Sequence, residues 1–177
     1  ERLPAACAAR QRGWTRIELA IVASIAMVLA VLAGGRLIRE VDDAAAQATG
    51  TYLLAIKGAM DGYLVRHYDT LADGAAVAGV AHAFAPTLNE LREAGMLQRG
   101  FPDRTPFNQT VAIRIERSGN CPGTACRMDA LIHTATPLRA QGALEPDLGV
   151  LAQVIMASGG YGAAADPDQP AVLRGAT

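Results

Sequence analysis

The residues able to do chemistry are few and scattered. Glu18 stands at the edge of an apolar run, between Ile17 and Leu19. A carboxylate drawn into hydrocarbon costs several kcal/mol, so an acid there points to a function rather than to packing. Cys121 and Cys126 form a C-x4-C pair, able to close a disulfide in an oxidising compartment. The pair alone does not make a zinc site, because no further Cys or His stands at ligand spacing. His67, Asp69 and Asp73 are the nearest thing to a cluster, and a solvated helix end accounts for them. His82 and His133 stand apart from them. Ser24 lies in the apolar run, and Ser118 and Ser158 lie in turns with no His nearby. The Gly159–Gly162 run follows a helical pattern and lacks a nucleotide-loop fingerprint. These residues compose no catalytic constellation, and the chain reads as a non-enzyme without cofactor or metal.

The element around Glu18 dominates the first third of the chain. From Leu19 to Gly35 no residue is charged. As a helix this run covers roughly 25 Å, and the flank from Trp14 extends it to a membrane span at about 17–35. Arg2, Arg10, Arg12 and Arg16 precede it against Glu1 alone, which places this end in the cytoplasm and the rest across the membrane. Three other readings fit an apolar run: a secretory signal peptide with Val31 and Ala33 before the cut, an uncleaved single-pass anchor, or a core helix. None of them has a use for Glu18.

The net charge is −1, from 16 basic and 17 acidic residues, which leaves no field to attract nucleic acid. Hydrophobic residues make up 51% of the 177, but aromatics only 5%, so the excess is aliphatic. A helical stripe continues through Ile38, Val41, Ala45, Ala48, Tyr52, Ile56, Met60, Leu64 and Tyr68. A helix of about 55 residues is near 80 Å long, more than a domain of this size can bury. Gly34, Gly35 and Gly50 read as bends or melting points, with close helix packing as the other explanation. Beyond Leu71 come a connector rich in Ala and Gly, then a short helix opened by Thr87 and Glu90 as a capping box and ended by Gly95. Val111–Arg117 alternates as a half-buried strand, and Met128–Thr134 returns as its hairpin partner, with both cysteines at the tip. Closing that small loop contributes about 2 kcal/mol by chain entropy. Pro146–Ala157 reads as a last helix, with Leu148, Leu151, Val154 and Ile155 on one side.

The stretch Arg12-Gly13-Trp14-Thr15-Arg16-Ile17-Glu18-Leu19 resembles the class III signal of type IV pilins. In that family a basic leader ends in Gly, a prepilin peptidase cuts after it and methylates the new amino terminus, and a Glu stands fifth in the mature chain. The resemblance places the cut between Gly13 and Trp14, makes Trp14 the methylated terminus and gives Glu18 the assembly role of pairing with a neighbouring subunit's amino terminus. The family often begins with Phe; Trp is accepted in the type IVb branch. A third mature residue is usually apolar, whereas here it is Arg16. Cleavage also removes Cys7, leaving an even pair, and takes the net charge to −3 by the loss of Arg2, Arg10, Arg12 and Glu1.

The head segments TLNELREAGMLQRGF, TPFNQTVAIRI and LAQVIMASGGYG resemble the N-terminal domain of PilV-type, shufflon-associated minor pilins. The resemblance implies an α+β pilin fold: a long N-terminal helix, half transmembrane and half amphipathic, packed on a small antiparallel sheet with short helices. It divides the chain into a leader at 1–13, a helix at 14–70 and a head at 71–177 that is truncated at its C-terminus. The implied function is that of a structural and adhesive minor pilin of a type IVb pilus, acting in cell attachment or recognition of a conjugative recipient. A major type IVb pilin, a type II secretion pseudopilin and, more remotely, a membrane-anchored binding domain or enzyme are the alternatives. The implied partners are other pilin subunits, the prepilin peptidase, the inner-membrane assembly machinery and a recipient or host cell surface, with no nucleic acid. The implied location is the inner membrane, with a periplasmic head, before assembly and the extracellular pilus afterwards.

Overall fold

The structure is a computed structural model that describes residues 16–140, 144–165, 169 and 172–175. Gly13, Trp14 and Cys7 lie outside the described residues. The chain forms two compact units, Glu1–Arg39 and Glu40–Thr177. Among the described residues the elements follow in the order α1 (Arg16–Ala72), α2 (Leu88–Glu93), β1 (Val111–Ser118), β2 (Arg127–Thr134), α3 (Leu148–Ala157), β3 (Ala163–Ala165) and β4 (Leu173–Gly175).

In the first unit the described residues are helical and exposed throughout, from Arg16 to Arg39. This part of α1 is apolar on every side, as in a segment designed for a nonaqueous surrounding. It is long and apolar enough to cross a membrane. Gly34 and Gly35 are helical and have nothing within 4 Å of a built Cβ.

The second unit is an α+β arrangement around the later part of α1. There the buried face is Ala46, Thr49, Gly50, Tyr52, Ile56, Ala59, Met60 and Tyr63. The sequence stripe matches this face at Tyr52, Ile56 and Met60. It departs at Val41, Ala48 and Tyr68, which are exposed, and at Leu64, which is half-buried beside the buried Tyr63. Leu71, Val77, Leu88, Leu91, Leu97, Ile113 and Ile115 complete the main core. A second, smaller cluster joins Ala46 to Leu138, Val150 and Val154. The inward residues of α3 are therefore Val150 and Val154, while Leu148 is 68% exposed. Asp147 caps that helix, accepting from the N–H groups of Gly149 and Val150, and so sets where its turns begin.

Helix ends are closed locally. The Thr87 side chain accepts from the Glu90 N–H, and the Glu90 carboxylate accepts from the Thr87 N–H at 2.7 Å, completing the expected capping box. Glu90 also accepts from the Ala81 N–H, and these backbone hydrogen bonds hold its carboxyl below the usual carboxylate range. At the end of α1, Ala75 N–H donates to Thr70 O and Gly74 N–H to Leu71 O. Met96 to Leu91 and Gly95 to Arg92 repeat this Schellman pattern on α2, so Gly95 closes it as expected. The break in α1 falls at His67 (φ −114°, ψ 17°), rather than at Gly34–Gly35 or Gly50.

Gly50 is a packing residue. A Cβ there would overlap Ala157 Cβ and lie 2.9 Å from Val154 O, so α1 and α3 touch backbone to side chain at this point. Gly58, two turns on, has nothing within 4 Å. Gly50→Ala should therefore destabilise the fold by about 2 kcal/mol, the usual scale for overpacking. Gly58→Ala should be neutral or stabilising by up to about 1 kcal/mol through helix propensity. Chemical denaturation of the two variants in detergent, followed by circular dichroism, checks the contrast.

Candidate functional site

Two places in the fold carry the residues singled out by the sequence, and each belongs to one unit. In the first unit Glu18 sits in the first turn of α1. A carboxylate is favourable at this end of a helix, where unpaired N–H groups carry partial positive charge. Ile17, Leu19, Ile21 and Val22 surround it in sequence, and all are exposed. Ser24 turns its hydroxyl back onto Ala20 O at 2.8 Å, so it adds no outward polar group to this surface. The arrangement sets one acid at the start of a segment that carries no other charge until Arg36, and such a group can bind a cation by charge.

In the second unit Cys121 and Cys126 are joined in a disulfide, with Cα atoms 4.7 Å apart. They close the loop between β1 and β2, whose register runs without a bulge from Val111↔Thr134 to Ser118↔Arg127. Gly119 makes the entry to this loop at φ 79°, and any side chain there would strike the Ala125 carbonyl. The loop is bound to α1 through Tyr68, whose hydroxyl donates to Cys126 O at 2.9 Å.

Two more tyrosines of α1 do the same for other loops. Tyr52 donates to Pro102 O and stacks on Phe101 at 4.7 Å, and Tyr63 donates to Ala83 O. Burial raises the pKa of both Tyr52 and Tyr63, which keeps them protonated as donors. Arg117 of β1 reaches the end of α1 and donates to Ala72 O at 2.9 Å, with Phe84 beneath its guanidinium. The last turn of α1 has no basic residue of its own, so Arg117 supplies the cation that a helix C-terminus favours. Sequence reasoning missed these contacts because each joins residues 20 or more positions apart.

His67 packs its ring on Tyr63 at 4.9 Å, at the break in α1, while Asp69 and Asp73 are exposed. Among the described residues no three His, Cys, Asp or Glu side chains come together as a metal site. A shallow groove beside α1, lined by Ala48, Tyr52, Ala55, Phe101, Pro102 and Pro106, is mainly apolar. Comparison with known protein families, characterised proteins and solved structures gives no match.

The disulfide has a measurable weight. Replacing both Cys121 and Cys126 by Ser should lower stability by about 2 kcal/mol, the entropy of a loop this short. The secondary structure of α1 should be unchanged. Denaturation midpoints of the oxidised, reduced and double-Ser proteins test this, with the last two expected to coincide.

Proposed function

We propose that this chain is a filament subunit of the type IV pilin kind, most like a PilV-type minor pilin of a type IVb pilus. The observation that carries this reading is the Arg16–Arg39 part of α1: apolar on all sides, exposed throughout, and bearing Glu18 in its first turn. A lone anchor needs only the apolar residues. An acid at the rim of the span fits a contact with a cation that is itself held in the membrane.

In the proposed cycle the basic leader stays cytoplasmic and the helix spans the inner membrane. A prepilin peptidase cuts between Gly13 and Trp14 and methylates the Trp14 amine. The absence of a side chain on Gly13 lets the protease approach the backbone. Glu18 of one subunit then meets the amino terminus of its neighbour, and each charge removes the cost of the other in a medium of low dielectric. The apolar helices leave lipid for the filament core, where they cover one another, and the disulfide-closed head is carried to the filament surface. A role in attachment or recipient recognition would belong to the head and whatever follows it.

Glu18→Ala tests the assembly role. The variant should insert in the membrane at normal levels yet be lost from the sheared filament fraction. Normal incorporation into filaments would refute the role given to Glu18. Glu18→Asp keeps the charge but shortens its reach, and should retain part of the incorporation.

A further inference from the structure

The β1–β2 hairpin has an unfinished side. Among the described residues its sheet contains only these two strands. Hydrogen bonds fix which backbone groups point outward. Ala135 N–H donates to Thr110 O, so alternate residues of β2 from Arg127 to His133 face β1. Ile115 N–H, on the opposite side of β1, donates to Phe84 O, so the far edge of β1 is engaged. The N–H and C=O groups of Met128, Ala130, Ile132 and Thr134 therefore point away from β1, along the outer edge of β2. Tyr68 donates to Cys126 O, just before β2 begins.

Side-chain burial changes across the hairpin in the same sense. Ile113 and Ile115 of β1 are buried, whereas their cross-strand partners Ile132 and Ala130 are only half-buried. The core thus thins toward β2. A strand edge of 8 residues with no bulge and no Pro can template another strand where its charged side chains, Arg127 and Asp129, meet complementary partners.

The outward side chains of β2 say which strand fits. They are Arg127, Asp129, Leu131 and His133, with Leu131 38% exposed. An antiparallel copy of β2 centred on Leu131 brings Leu131 against its own equivalent. It also sets Asp129 opposite His133 of the second copy, twice, by symmetry, so that each imidazole can donate to a carboxylate. The outward backbone groups then meet in matching pairs, Met128 with Thr134 and Ala130 with Ile132. Centring on Asp129 instead opposes two carboxylates, which is unfavourable, and centring on Ala130 sets Arg127 against His133 and Asp129 against Leu131, with no opposite-charge pair. We infer that β2 is a self-pairing edge, through which two copies of this chain join their hairpins into one continuous antiparallel sheet with Leu131 on the two-fold axis.

This isologous contact is independent of the helix-mediated assembly proposed above and uses other residues. In a filament whose subunits all point one way, it would join heads of different filaments rather than neighbours within one.

The test uses the full chain in detergent, with Cys7→Ala to remove the unpaired thiol. At a non-hydrogen-bonded position on the axis the Cα atoms of residue 131 lie about 4.5 Å apart, within disulfide reach. Leu131→Cys should therefore give a disulfide-linked dimer on mild oxidation. Arg114→Cys, on the same sheet face but one strand inward, should not. Asp129→Lys added to Leu131→Cys should lower the linked fraction several-fold, and the further change His133→Glu should restore it. Hydrogen exchange on the chain with only Cys7→Ala provides a readout free of these substitutions: the Ala130 and Ile132 amides should become more protected as protein concentration rises. Failure of Leu131→Cys to cross-link, cross-linking that ignores the charge reversal, or edge amides whose protection is independent of concentration would each overturn the inference. Protection that is high at every concentration would mean that a segment of the same chain covers the edge.

Discussion

An apolar surface that the other described residues leave exposed is the constraint on which everything else rests. From Arg16 to Arg39 α1 meets its backbone hydrogen-bonding needs internally, as any helix does, and presents aliphatic side chains in all directions. Water is a poor surrounding for such a rod. Lipid satisfies it, and so does a bundle of identical rods. In the proposed reading Glu18 separates these two surroundings energetically, because a carboxylate is costly at the rim of lipid and a bundle that brings an amino terminus to it lowers that cost. A helix with this composition and this acid is suited to moving from one surrounding to the other.

The second unit solves a different problem: how to hold loops with little regular structure. Its sheets are two-stranded and its later helices short. Isolated hairpins are marginal in water, so the fold depends on long-range attachments to α1. Tyr52, Tyr63 and Tyr68 each insert an aromatic body beside the helix and donate a hydroxyl hydrogen to a loop carbonyl. These part-buried carbonyls are thereby satisfied without a strand partner. Arg117 and the Cys121–Cys126 bond both secure the C-terminal end of β1. The same economy leaves the outer edge of β2 without a strand beside it among the described residues.

What could be read from the sequence was local. Thr87 and Glu90 are three residues apart, and their reciprocal hydrogen bonds follow from helix geometry alone. The hairpin and its cysteine pair were legible because alternation and loop length are also short-range signals. The helical stripe was followed correctly at Tyr52, Ile56 and Met60, but the choice of Tyr63 over Leu64 depends on where the 83–84 segment lies. Gly50 read either as a weak point of a helix or as a position of close packing, and the approach of Ala157 decides for packing. Leu148 follows the same logic in reverse, since Asp147 and the position of Ala46 turn Val150 and Val154 inward instead. The strands β3 and β4, each of three residues, carry too little pattern to be foreseen. For the assembly residues the sequence remains the whole case at Gly13 and Trp14, and the structure adds the apolar, exposed setting of Glu18.

The central claim is that this helix is a polymerisation element released by proteolysis rather than a permanent anchor. Intact-mass analysis of the protein recovered from outside the inner membrane, with N-terminal sequencing, tests it most directly. The account predicts a chain that begins at Trp14 and carries one methyl group on its amine. A chain that keeps residues 1–13, or one cut after Ala33 so that the apolar helix is lost, would contradict it.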